Sequence, residues 1–258
     1  MPEMLWFSLA LLLMLFTLAW MVQRLTANAG YVDVAWSFGT GMVGLGYLLV
    51  GDGEAWPRWV AGGLLAAWSL RLGGHILTRV IGEGSEDGRY AAMRERLGGA
   101  TQPVFLLVFW GQAGLAWAFS LPFWVIAHQP DFIPLFVNLG LAVGAVAIVG
   151  EALADRQLAR FKARPDSHGK TCREGFWRYS RHPNYFFEWL HWFSYPLIAA
   201  VAAPHGAWLW LLPVAMFLFL WFVTGIPYTE KQALKSRGDD YRDYQRTTSP
   251  FIPWRSGS

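Results

Sequence analysis

The chain has 258 residues, of which 54% are hydrophobic, 17% aromatic and only 15% charged, with a formal net charge of +3. Soluble domains carry about 25% charged residues, so this composition excludes an ordinary water-exposed surface and points to lipid. The single cysteine, Cys172, excludes a disulfide within the chain and argues against a thiolate metal site.

Hydrophobic runs of about 20 residues, enough to cross a bilayer core, recur along the chain. The first, Met4–Val22, holds no charge and lacks a basic n-region and a small-residue cleavage site, so it reads as a retained helix rather than a signal peptide. Further spans are expected at Val32–Val50, Trp59–Leu77, Pro103–Ala127, Phe132–Ala154, Tyr185–Ala203 and Ala207–Pro227, about seven in all. The expected fold is all-α: a single polytopic transmembrane domain over 1–258, in halves 1–127 and 132–258. Glycines inside the spans, such as Gly39, Gly41, Gly140 and Gly144, suit close helix packing. The short Pro204-His205-Gly206 link predicts a tight hairpin between the last two spans.

Lys and Arg fall on one side of these spans. Arg24, Arg79, Arg89, Arg94 and Arg96 lie there, as do the loop from Arg156 to Arg181 and the tail from Lys231 to Arg255. The other side has Arg58 and almost nothing else basic. The positive-inside rule then puts the N-terminus outside and the tail in the cytoplasm. Two readings of the basic face are open: attraction to anionic lipid headgroups, or a site for an anionic cofactor.

Ionisable groups in the spans come next. Arg181-His182-Pro183-Asn184-Tyr185 opens as a basic turn, and Pro183 fits the first turn of a helix. Glu188 and His191 follow three apart on one helical face. A charge in hydrocarbon costs about 2.5–3.5 kcal/mol on insertion scales, so such groups pair or line a cavity. Asp33, His75, Gln112, Glu151 and Asp155 also sit inside spans or at their edges. Glu151 and Asp155, four apart, read either as a salt-bridged helix end or as part of that polar pocket.

The segment Gly82–Tyr90 reads as an ordered turn whose acids pair with Arg89. Spacing alone favours Tyr90 as an exposed interfacial anchor over a general acid. The tail from Tyr228 to Arg246 is expected to form a charged helix, either a lid over a cofactor or an interfacial helix. No P-loop or Rossmann fingerprint is present, so any nucleotide would be held by side chains on helices.

Several features then come in order: Asp155, a basic loop, Gly175-Phe176, Tyr179, Asn184, Glu188, and the ending Asp240-Tyr241…Pro250-Phe251-Ile252-Pro253-Trp254. From about Glu151 to Trp254 this order resembles the steroid 5-alpha-reductase family of membrane oxidoreductases. The Arg-His-Pro-Asn-Tyr turn is similar to that of the sterol C14 reductases. The resemblance implies a bacterial inner-membrane enzyme that uses NADPH to reduce the C4–C5 double bond of a 3-oxo-delta-4 steroid or related enone. Residues 1–127 would then face substrate and 132–258 would bind the cofactor. Asp155 and Asn184 would contact its polar core, with Lys162 and Lys170 near the adenosine phosphate. Tyr179, Arg181, His182, Glu188, Tyr228, Tyr241 and Tyr244 would share that pocket.

Tyr90 matches the family tyrosine that follows the third span, and Val32-Asp33 stands where relatives carry a Gln-Glu pair. By the same resemblance, Tyr90 supported by a protonated Asp33 would polarise the substrate carbonyl. A second resemblance, to isoprenylcysteine and phospholipid methyltransferases, rests on the Arg-His-Pro-x-Tyr turn and a Glu…Tyr-x-x-Tyr tail, and implies S-adenosylmethionine. This chain has Phe186-Phe187 where those families have Gly, and Glu230-Lys231 where they have Glu-Glu. Together with Asn184 and the Lys162/Lys170 loop, these departures favour the reductase. A sterol-binding membrane protein without catalysis is the third reading. The partners expected are a hydrophobic enone and membrane lipid, with no metal and no nucleic acid.

Overall fold

The computed structural model describes residues 2–82, 86–200, 206–223 and 225–254. Among them the regular elements are helices, apart from an isolated bridge between Ser180 and Ser249. Six helices are long and apolar enough to cross a membrane, so the protein is an all-α integral membrane protein. The chain divides into two compact units, Met1–Phe132 and Ile133–Ser258.

The first unit contains α1 (Pro2–Thr26), α2 (Tyr31–Val50), α3 (Ala55–Gly82), α4 (Gly88–Leu97) and α5 (Thr101–Ala127). α2 packs against α3 and α5, and α1 against α5 and α2. Gly41 permits the close approach of α3, since a Cβ there would lie 2.2 Å from Ser69 Oγ. Ser69 uses that proximity to donate to the Ser37 carbonyl at 3.0 Å, a polar link of the kind that holds helices together in lipid. Arg58 has a structural post: it donates to the Leu48 carbonyl at 2.8 and 2.6 Å and to the Gly53 carbonyl at 3.2 Å. It thereby satisfies orphan acceptors at the negative end of α2. Within the expected turn Gly82–Tyr90, residues 83–85 lie outside the described residues. Asp87 caps α4, its side chain accepting the Arg89 N–H at 3.0 Å.

The second unit begins with α6 (Pro134–Lys162), which continues about two turns past the expected end at Ala154. The expected span Tyr185–Ala203 is not one helix: α7 (Pro183–His191) stops and α8 (Ser194–Ile198) restarts, while 201–203 lie outside the described residues. Pro196 accounts for the break. It has no N–H to offer the Trp192 carbonyl, and its ring crowds that group. The hairpin expected at Pro204-His205 also lies outside the described residues. Beyond it come a 3₁₀ turn (Ala207–Trp210), α9 (Leu211–Leu218) and a π turn (Phe219–Val223). The tail is two helices rather than one, α10 (Ile226–Arg237) and α11 (Asp239–Thr247). Gly238 separates them at φ +54°, a backbone angle that favours glycine, and its N–H bonds the Leu234 carbonyl. α6 packs on α7 and α8, with Gly150 facing the Phe187 ring and Gly140 facing Ile198 and the Ser194 carbonyl.

Candidate functional site

In the first unit, two residues 57 positions apart meet: the Tyr90 hydroxyl donates to Asp33 Oδ1 at 3.1 Å. Asp33 sits in the first turn of α2 and Tyr90 in the first turn of α4. Arg89 donates to Asp33 Oδ2 at 3.1 Å and also grips Asp87, with Nε 3.0 Å from Oδ1 and Nη2 3.2 Å from Oδ2. Burial works to raise the Asp87 carboxyl, but the hydrogen bonds and charge of Arg89, with Arg79, outweigh it and hold Asp87 below its ordinary value. The Asp33 carboxyl thus shares its two oxygens between the Tyr90 hydroxyl and the Arg89 guanidinium.

Tyr90 is 7% exposed, with its ring edge-on to Phe105 at 6.4 Å, so it is not the exposed anchor that spacing favoured. Beside this pair lies a second network missed by sequence reasoning. Glu86 accepts the Ala29 N–H at 2.8 Å and Arg94 at 2.7 and 3.0 Å. Arg94 also donates to Gln23 at 3.1 Å and lies over the Phe105 ring at 5.0 Å. The available signals were Gln23, a polar residue closing the first span, and Glu86, which pairs with Arg94 rather than with Arg89. Arg71, a charge midway along α3, was legible in the same way. His75 is exposed and Gln112 half-buried; no hydrogen bond joins either to Asp33 or Tyr90 among the described residues.

In the second unit, Asn184 at the start of α7 donates to Asp155 Oδ1 at 3.3 Å. Its own Oδ1 is buried and has no hydrogen-bond partner among the described residues. Arg181 and His182 converge on Glu230 Oε1, at 3.0 and 3.2 Å, while Gln245 donates to Glu230 Oε2 at 2.7 Å. The His182 ring stacks on Tyr185 at 5.3 Å, and the Tyr185 hydroxyl meets Thr229 Oγ1 at 3.1 Å. Burial pushes the His182 imidazole below its ordinary value, against the pull of Glu230, so it is neutral at pH 7.

The other expected cofactor residues are distributed as follows. Tyr244 donates to the carbonyls of Trp177 and, at 3.0 Å, Ser180. Tyr241 packs beside it with Arg237 over its ring at 4.8 Å, and burial raises both phenols. Glu188 accepts from the Trp192 indole at 3.0 Å, and His191 Nε2 meets the Tyr195 hydroxyl at 2.7 Å, so the polar face of α7 is buried. Lys162 and Lys170 are exposed, Lys170 lying 3.4 Å from Asp166. Tyr179 is 42% exposed, and the Tyr228 hydroxyl accepts from Gln232 at 2.7 Å.

A family model described as a protein of unknown function (DUF1295) matches residues 19–248. The chain belongs to this family. The DUF1295 match takes in Asp33, Tyr90, Asn184 and Glu230 and stops short of Phe251. No curated protein matches the chain.

Proposed function

We propose that the protein reduces a hydrophobic enone, a 3-oxo-delta-4 steroid or a related substrate, with NADPH as cofactor. The observation that carries this reading is the buried Tyr90 hydroxyl held 3.1 Å from Asp33, itself fixed by Arg89. A phenol so placed can turn its proton from Asp33 to an incoming carbonyl oxygen, where negative charge develops as the β-carbon is reduced. Arg89 holds the Asp33 carboxyl group during that exchange, keeping the phenol within reach. The α-carbon then takes its proton by way of Tyr90 and water.

The second unit suits the cofactor. Asn184 offers an unpartnered buried acceptor, Asp155 a carboxylate, and Lys162 and Lys170 exposed positive charge for a phosphate. When bound, NADPH supplies the hydride. The one-sided distribution of Lys and Arg supports an inner-membrane placement with the N-terminus outside and the tail in the cytoplasm.

The test is purified protein in detergent, with NADPH oxidation followed in the presence of testosterone or progesterone and products weighed by mass spectrometry. The expected product is two hydrogens heavier and appears only with NADPH. Tight S-adenosylmethionine binding without such turnover would replace this reading with the methyltransferase.

A further inference from the structure

The end of α6 is divided between two faces. The helix has 29 residues, about 43 Å at 1.5 Å per residue, against a hydrocarbon core of about 30 Å. Its apolar run closes at Leu153-Ala154 and charged residues follow, so the excess length lies at its C-terminal end. On one face Glu151 is buried and Asp155 is bonded to Asn184 of α7. On another, Arg156 and Arg160 are exposed one turn apart, and neither has a hydrogen-bond or ion-pair partner among the described residues.

Followed backward at intervals of three and four residues, the face of Arg156 and Arg160 carries Leu153, Val149, Val146, Ala142, Leu139 and Leu135. All are exposed, Val146 by 58%. An apolar stripe thus runs, without changing face, into two guanidinium groups at the depth where the apolar run stops.

Those two features select the occupant. A soluble anion would meet the arginines but leave the stripe uncovered. A second copy related by an axis normal to the membrane would place like charges opposite each other at the same depth. A phospholipid satisfies both, and arginine's planar fork of donors suits a phosphate. We propose that this face of α6 is a docking site for an anionic phospholipid, its acyl chains along Leu135–Leu153 and its phosphate held by Arg156 and Arg160. This goes beyond enone reduction and does not depend on it.

The experiment is native mass spectrometry of the full chain released from detergent with phosphatidylglycerol or phosphatidylcholine of matched acyl chains. The wild-type protein should retain phosphatidylglycerol about thirtyfold better, the preference expected of two arginines at a lipid surface. The Arg156→Gln/Arg160→Gln variant should lose most of that preference, and Arg156→Lys/Arg160→Lys should keep part of it. Excess inorganic phosphate should not displace the lipid. An unchanged preference in the glutamine variant, or none in the wild type, would overturn the proposal. Displacement by free phosphate, or a lipid-free dimer, would do the same and assign the face to an anion or to a second copy.

Discussion

Asp33 in the first unit bonds to Arg89 and Tyr90; Glu230 in the second pairs with Arg181 and His182. Each carboxylate gathers two consecutive residues, an arginine and a ring able to carry a proton. The surroundings differ. Glu230 also takes Gln245, and the turn beside it is stitched to the tail by Arg181 N–H to the Ser249 carbonyl at 2.8 Å and Ser180 Oγ to the Phe251 carbonyl at 2.7 Å. That hub works as a latch between the Arg-His-Pro turn and α10–α11. The Asp33 hub holds a hydroxyl whose proton can be re-aimed at another acceptor. Similar chemical parts therefore fix structure in one unit and leave a movable proton in the other.

The sharpest way to break this contrast is Tyr90→Phe. Enone turnover should fall by about 10²–10⁴-fold, the range of a lost general acid, while NADPH affinity stays within about twofold. Stability should change by only about 1 kcal/mol, one hydrogen bond. Steady-state kinetics with a separate NADPH binding titration would check this, and equal losses in turnover and affinity would remove the role assigned to Tyr90. Glu230→Ala should behave in the opposite sense. It takes the carboxylate from Arg181, whose side chain is 11% exposed and keeps only the Gln245 carbonyl among the described residues, and removing one partner of a mostly buried pair costs about 3 kcal/mol. Thermal unfolding in detergent should show a clear fall in Tm, and limited proteolysis should release the tail. An unchanged Tm would mean the latch is not one.

Much of the architecture is legible from run length alone, because a helix in lipid must satisfy its backbone internally and so declares itself as a long apolar run. α1, α2 and α5 fall within a few residues of the expected spans. Hydropathy averages over Pro196 and Gly238, single residues whose missing donor and positive φ break the Tyr185–Ala203 span and the tail. For the sites, the pairing of Asp33 with Tyr90 spans 57 positions and entered through family resemblance, not spacing. Glu86 and Arg94 pair across eight positions, but Gln23 from α1 and Phe105 from α5 reach them only through packing, a result that no local pattern encodes. Glu230 was read only as a departure from the methyltransferase pattern, whereas its importance lies in what α10 brings it against.

A smaller test compares the units where their conformations are nearly identical. Gly98 ends α4 at φ +51° and Gly238 ends α10 at φ +54°, and a Cβ at either would meet open space. Substitution by Ala therefore meets backbone strain alone, about 1–2 kcal/mol at each. Matched losses of Tm for Gly98→Ala and Gly238→Ala are expected. A much larger loss at Gly238 would show that the latch depends on the angle between α10 and α11 as well as on Glu230.

The smallest effect, and the one that separates the two hubs by titration, comes from His182. Its folded pKa lies below the ordinary value because burial opposes the charged ring, with Arg181 and Arg237 acting in the same direction and Glu230 against them. Below about pH 6.5 the unfolded chain takes a proton on this side chain that the folded protein declines. The unfolded state then binds more protons, and stability falls as pH falls. In the first unit, Asp87 is also held low, but as a carboxylate it loses its contribution only as pH drops through the acid range below about 4. Between pH 7.5 and 5.5, in the terms of ordinary His and Asp values, only the second of these two hubs should weaken. Tm measured across that window should decline in the wild type, and His182→Gln, which removes the titrating group, should flatten the decline. The same slope in His182→Gln would mean that protonation elsewhere loosens the protein first, and the latch would then owe nothing to a neutral His182.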